Sequence, residues 1–197
     1  MKYTMVIDLE QCVGCDNCTV ACKLDNETGT GIRWGRVIEE EVGTFPHVRK
    51  IYLPLLCMHC DNAECEKVCP TQATYKDELG VVRIDYEKCM GCKYCMVACP
   101  FSARFFNEAE RPPAGVPVMG SGDERKGAVE KCDFCHDRLS EGKPPRCVEV
   151  CPYEARFFGD RDNPEDPVAK MLRTRKAATL KSEEEFGPSV FYLGVES

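Results

Sequence analysis

Sixteen cysteines in a chain of 197 residues constrain this sequence more than any other feature, and they fall into four groups of four. Group one is Cys12, Cys15, Cys18 and Cys22; group two is Cys57, Cys60, Cys65 and Cys69. Group three is Cys89, Cys92, Cys95 and Cys99; group four is Cys132, Cys135, Cys147 and Cys151. No cysteine is left over. Aromatic residues make up only 9% of the chain and charged residues 30%, so a purely hydrophobic core is thin for this length and cross-links are expected to hold the fold. The formal charge of −7 excludes a phosphate backbone as a natural partner, which calls for a basic surface.

Disulfides, zinc and iron–sulfur clusters compete for these thiols. Groups one and three read C-x2-C-x2-C-x3-C, and Pro100 follows group three, which is the run used by bacterial ferredoxins. Group two widens the middle gap to four residues and group four to eleven, each ending in Cys-Pro. Three closely spaced cysteines wrap a tight loop around one cluster, and the fourth begins a helix leading to another. Zinc ribbons use two separated C-x2-C knuckles, which groups one and three are not. Vicinal C-x2-C-x2-C runs are also poorly placed to cross-link one another with good disulfide geometry. The apolar run Met5–Ile7 is too short for the core of a signal peptide, so an export signal is not expected here. No run of about 18 apolar residues is present to span a membrane.

The chain also repeats itself. Ile7-Asp8 through Val20-Ala21-Cys22 recurs as Ile84-Asp85 through Val97-Ala98-Cys99. Cys99-Pro100-Phe101-Ser102-Ala103-Arg104-Phe105-Phe106 recurs as Cys151-Pro152-Tyr153-Glu154-Ala155-Arg156-Phe157-Phe158, with a weaker copy from Cys69 to Tyr75. The fold class expected is α+β: a duplicated bacterial-ferredoxin-like fold with inserted loops and hairpins and an extended C-terminal tail. Residues 1–56 and 126–159 form one half, with groups one and four, and 57–110 the other, with groups two and three. Residues 111–125 read as a surface loop and 160–197 as a partner-binding tail. Tyr3–Ile7 reads as a strand, Thr19–Leu24 and Met96–Cys99 as helical turns, and Asp166–Thr174 as a short helix. Ala73–Tyr75 with Val81–Ile84 reads as a hairpin, and 28–56 as an insertion hairpin.

Some side chains beside the cysteines carry two readings. Lys88, Lys93 and Lys131 either raise a cluster potential or are solvated, and the solvated reading is preferred for each. Arg104 and Arg156 either neutralise cluster charge or form surface ion pairs. His59 and His136 read as ordinary loop histidines, and His47 carries no signal. Trp34 and the Phe105-Phe106 and Phe157-Phe158 pairs read as packing. Glu183-Glu184-Glu185 reads as a solvated face.

The four-group pattern, the N-terminal strand leading into Cys12-Val13-Gly14-Cys15, and the Cys-Pro-x2-Ala-Arg-Phe-Phe repeats together resemble the iron–sulfur subunits of molybdopterin oxidoreductases. That family includes the dimethyl sulfoxide, polysulfide, thiosulfate, tetrathionate and arsenate reductases. The resemblance covers nearly the whole chain. It implies one cluster on Cys12, Cys15, Cys18 and Cys151 and a second on Cys132, Cys135, Cys147 and Cys22. It implies a third on Cys57, Cys60, Cys65 and Cys99 and a fourth on Cys89, Cys92, Cys95 and Cys69. All would be of the 4Fe–4S type, since no cysteine in group three is replaced. Group one lacks the proline and has Lys23 after Cys22.

The implied role is a non-catalytic wire between a molybdopterin catalytic subunit and a membrane quinone subunit or soluble carrier, with no direct small-molecule substrate. The implied location is a membrane-associated complex, facing the periplasm by co-export with the catalytic subunit, or else the cytoplasm. A wiring subunit of a hydrogenase or formate dehydrogenase, and a free polyferredoxin, are the alternatives. Catalysis by the chain itself would call for an open iron site, and sixteen thiols for four cubanes leave none.

Overall fold

The computed structural model of the chain describes residues 1–108, 125–181 and 184–195. Most of the expected surface loop and Glu183 lie outside them. The architecture is α+β. Its centre is a four-stranded sheet in the order β8 (Arg156–Asp160), β1 (Tyr3–Asp8), β10 (Val190–Leu193), β9 (Ala177–Ala178). Strand β1 runs antiparallel to β8, with Val6 opposite Phe157, and parallel to β10, with Ile7 opposite Tyr192. Met5, Val6 and Ile7 are all fully buried because both faces of β1 are covered. Met5, Ile7, Val190 and Tyr192 face the main core. Val6 and Leu193 face helix α6 (Pro167–Thr174), where they pack on Val168. Asp166 caps this helix by accepting the Val168 amide at 2.8 Å, and Pro167 takes a first-turn place where no amide hydrogen is needed.

Each cysteine group is followed by a strand that pairs antiparallel with the strand leading into the next group. After group one, β2 (Arg36–Thr44) pairs with β3 (His47–Leu55), which enters group two. After group two, β4 (Thr74–Lys76) pairs with β5 (Val82–Ile84), which enters group three. After group three, β6 (Phe105–Phe106) pairs with β7 (Val129–Glu130), which enters group four. After group four, β8 pairs with β1, which closes the circuit on group one. The β2–β3 hairpin projects, with Phe45 at its tip exposed.

The repeat is written into the backbone. Gly14 and Gly91, one residue before the second cysteine of groups one and three, both take φ +70°. Asp16 and Lys93, one residue after it, follow in the left-handed region and open helices α1 (Asn17–Asp25) and α3 (Tyr94–Val97). Gln72, Ser102 and Glu154, three residues past their group's last cysteine, share φ between 49° and 55°. Each donates its amide to that cysteine's carbonyl at 3.2 Å. The weak third copy therefore makes the same turn as the two strong ones. Short helices α2 (Glu64–Lys67), α4 (His136–Ser140) and α5 (Arg146–Glu149) complete the cysteine-bearing segments.

Part of the C-terminal segment folds back into the chain's own sheet. Over Val190–Leu193 it is an interior strand of the chain's own sheet, and the Tyr192 hydroxyl donates to the Pro54 carbonyl at 2.8 Å. The run Val190-Phe191-Tyr192-Leu193 is apolar enough to be buried on both faces, and the open edge of β1 accepts it.

Candidate metal centres

The sixteen thiols gather into four tetrads, each combining three cysteines of one group with one of another. Cys12, Cys15, Cys18 and Cys151 line a cleft of about 360 Å³ against Ile7, Pro54 and Arg156. Cys57, Cys60, Cys65 and Cys99 line a second of about 360 Å³, closed by Phe101 and Phe186. Cys69, Cys89, Cys92 and Cys95 line a third of about 320 Å³. Cys22, Cys132, Cys135 and Cys147 form the remaining tetrad, close enough that their thiolates repel one another. Asn26 reaches into that set, its Nδ2 lying 3.6 Å from Cys22 Sγ and 3.9 Å from Cys135 Sγ.

The loops that hold these thiols also aim amides at them. The Phe134 amide lies 3.5 Å from Cys132 Sγ, the Thr74 amide 3.5 Å from Cys69 Sγ and the Ala155 amide 3.4 Å from Cys151 Sγ. Burial, followed by the charge of neighbouring cysteines, pushes the Cys60 thiol up to about 12. Burial likewise pushes Cys135 up to about 12 and raises Cys22 and Cys132. At Cys69 burial pulls upward, but hydrogen bonds from Thr74, Thr71 and Ala73 outweigh it and the thiol is lowered. Buried thiols crowded in this way ionise only when a metal takes the place of the protons.

Three cations occupy the spaces between tetrads. Arg156 is buried; its Nη2 donates to Cys18 Sγ at 3.3 Å, and its positive charge also bears on Cys147 of the next tetrad. Arg104 is buried too; it donates to Cys65 Sγ at 2.9 Å and to Thr74 Oγ1 at 3.1 Å, and its positive charge also bears on Cys95. The surface ion-pair reading of both arginines is thereby replaced. Each guanidinium sits among thiols in the interior, where only nearby negative charge makes it tolerable.

Lys131 overturns the solvated reading. It is 1% exposed, and its Nζ donates to the carbonyls of Val82 and, at 2.7 Å, Cys132. Lys88, in the same place before its group's first cysteine, is 63% exposed and paired with Asp85 at 2.9 Å. Lys93 stands 3.8 Å from the centre of the Phe106 ring.

His59 is likewise no ordinary loop histidine. It is fully buried and stacks on Phe134 with ring centres 3.8 Å apart. Its Nδ1 accepts the Val82 amide at 3.1 Å. Burial first, then Lys131, Arg104 and Lys76, hold it well below the usual histidine range, so it is neutral. His136 stays at the surface side, its Nε2 3.3 Å from Arg83. Trp34 packs in the core as expected, with a feature the sequence did not signal: its indole donates to Glu130 Oε2 at 3.0 Å. Asn107 donates to the other oxygen of the fully buried Glu130 at 2.6 Å.

An all-thiolate donor set beside buried cations fits iron–sulfur chemistry. Among the described residues, no three His, Cys, Asp or Glu side chains converge closely enough for a single metal ion, although four thiols surround each cleft. The two observations are compatible if the thiols are spaced around a polynuclear cluster, since zinc needs every sulfur about 2.3 Å from one point.

Residues 48–114 and 116–161 match the family model described as a 4Fe-4S dicluster domain. The arsenate respiratory reductase iron–sulfur subunit of a Shewanella species is 40% identical over 98% of this chain and 96% of its own length. A selenate reductase subunit of Mesobacillus selenatarsenatis is 41% identical over 98% of this chain and 72% of its own. A tetrathionate reductase subunit of Salmonella typhimurium is 40% identical over 99% of this chain and 73% of its own. No helix among the described residues is long and apolar enough to cross a membrane.

Proposed function

Since this chain belongs to the family of iron–sulfur subunits of molybdopterin oxidoreductases, we propose that it is a four-cluster wire within such a complex. Each of the four cysteine tetrads holds one 4Fe–4S cluster. Electrons pass singly from cluster to cluster, between a molybdopterin catalytic subunit and a membrane quinone subunit or soluble carrier. The chain itself makes and breaks no substrate bonds.

One observation carries this reading: four all-cysteine tetrads, with a buried cation shared between each successive pair. In order, the tetrads of Cys12, of Cys132, of Cys57 and of Cys89 are separated by Arg156, Lys131 and Arg104. Cys15 and Cys92, in the two end tetrads, are exposed, whereas Cys132 and Cys57 in the middle pair are buried. Such a layout leaves the outer clusters at the surface for exchange with partners and shields the inner two from water. The two halves follow the tetrads, with groups one and four in one and groups two and three in the other. The complex is membrane-associated, with this subunit facing the periplasm after export alongside its catalytic partner.

Iron and acid-labile sulfide per chain after anaerobic purification test the reading directly. About sixteen of each is expected, on the ratio of four iron atoms to one cubane. Reduced samples are expected to give EPR spectra with spin coupling between neighbouring clusters. Stoichiometric zinc, or markedly less iron in an intact sample, would overturn it.

A further inference from the structure

We infer that the Lys131 ammonium sets the reduction potentials of the two middle clusters and so governs electron passage between the two halves of the chain. This rests on the reading that the tetrads of Cys132 and Cys57 hold clusters. It goes beyond that reading by assigning the junction between them to one side chain.

Lys131 directly precedes Cys132 on the exit from β7, and its Nζ is held by two main-chain carbonyls from opposite sides of the junction. The Cys132 carbonyl belongs to one tetrad's loop, while the Val82 carbonyl belongs to β5, beside the other tetrad. The same place is bridged by an aromatic contact: His59, between Cys57 and Cys60, stacks on Phe134, between Cys132 and Cys135. Val82 ties the parts together, its amide to His59 and its carbonyl to Lys131.

Among the described residues, no carboxylate stands within ion-pair distance of Lys131. Glu130, its neighbour in sequence, points the other way, to Trp34, Asn107 and Arg125. The ammonium is therefore not neutralised locally, and its field falls on the nearest negative groups, the thiolates and clusters on either side. A cluster gains one negative charge on reduction, so a fixed cation stabilises the reduced form and raises the potential. When an electron crosses, one middle cluster is oxidised by one charge and the other is reduced by one, and no proton or atom moves. A cation shared by both stabilises the electron on either side of the gap. Arg156 and Arg104 differ because they donate to thiol sulfur and so also hold ligands in place. Lys131 donates to the carbonyls of Val82 and Cys132 and to no thiol sulfur, so its charge acts on the clusters without a direct bond to a ligating atom.

The test is an EPR-monitored redox titration of the anaerobically purified full-length chain, with iron and sulfide measured on every sample. Lys131→Met keeps the length of the side chain and removes the charge. It is expected to retain its iron and to lower two of the four midpoint potentials, leaving the other two in place. Lys131→Arg is expected to restore them. Lys88→Met, at the equivalent but exposed position, is expected to leave the middle pair unmoved. Four unchanged potentials in a fully loaded Lys131→Met variant would overturn the inference while leaving the four-cluster reading intact. Lys131→Gln, which retains a donor for Val82, is tested beside it. Loss of iron from both neutral variants would assign Lys131 to holding the halves together and would also overturn the inference. A wild-type chain without four clusters would remove the reading and the inference together.

Discussion

Tyr192 joins the C-terminal strand to the rest of the protein at a point where the cost of change is calculable. Its ring is fully buried in the main core, and its hydroxyl donates to the buried Pro54 carbonyl at 2.8 Å. Tyr192→Phe strands that carbonyl without a donor, at a cost of about 1–3 kcal/mol. For a chain of this size each kcal/mol moves Tm by roughly 2–4 °C, so the expected drop is roughly 2–12 °C. Tyr192→Ala also empties the ring's volume, for which about 3–5 kcal/mol and a drop of roughly 6–20 °C are expected. Anaerobic thermal melts of the holoprotein, followed by Trp34 fluorescence and cluster absorbance, measure both.

The pH profile adds a second reading. Burial, only partly opposed by Arg156 and Arg36, raises the Tyr192 phenol above its ordinary value. A raised acid favours the fold while it stays protonated, so this contribution is complete below about pH 10 and is lost as pH rises above it. Wild type is therefore expected to lose stability above that pH faster than Tyr192→Phe. A Tyr192→Ala protein melting within about 2 °C of wild type would show that the strand does not stabilise the core, and the reasoning would fail.

Two further substitutions probe the scaffold. Gly91→Ala forces a side chain into φ +70° and drives its Cβ into the Gly127 carbonyl, whereas Gly127→Ala at φ +77° meets open space. Both are expected to carry the left-handed penalty of about 1–2 kcal/mol, but only Gly91→Ala adds a backbone clash; equal melting temperatures for the two would refute this. Asp166 accepts the Val168 amide at 2.8 Å and the Asp160 amide at 2.9 Å. Asp166→Ala is expected to cost about 0.5–2 kcal/mol, or a Tm drop of roughly 1–8 °C, with Asp166→Asn milder; a melt unchanged from wild type would count against the cap.

Much of this protein is legible in its sequence because so much of it is local. A cysteine-rich loop is a matter of residues two or three apart, and Gly14 and Gly91 supply the left-handed turns that such spacing needs. The strand at Tyr3–Ile7, the Thr74–Lys76 and Val82–Ile84 hairpin, and the helix after Asp166 follow from alternation, turn residues and a capping side chain over short windows. The Cys-Pro-x2-Ala repeats, visible as letters, share one left-handed turn at Gln72, Ser102 and Glu154.

Tertiary structure decided the rest. Lys88 and Lys131 are indistinguishable as letters, each a lysine before the first cysteine of a group. One is exposed beside Asp85, and the other is sealed between two tetrads. The two copies of Ala-Arg-Phe-Phe left open whether their arginines neutralise cluster charge or pair at the surface, and only the tertiary structure buries them against thiols. The apolar stretch at 190–193 marked an extended segment, but not that β1 would be its neighbour. Local spacing specifies how a loop wraps its own centre. Which distant segments close over that centre, and so which charges lose their water, depends on contacts between residues far apart in the chain.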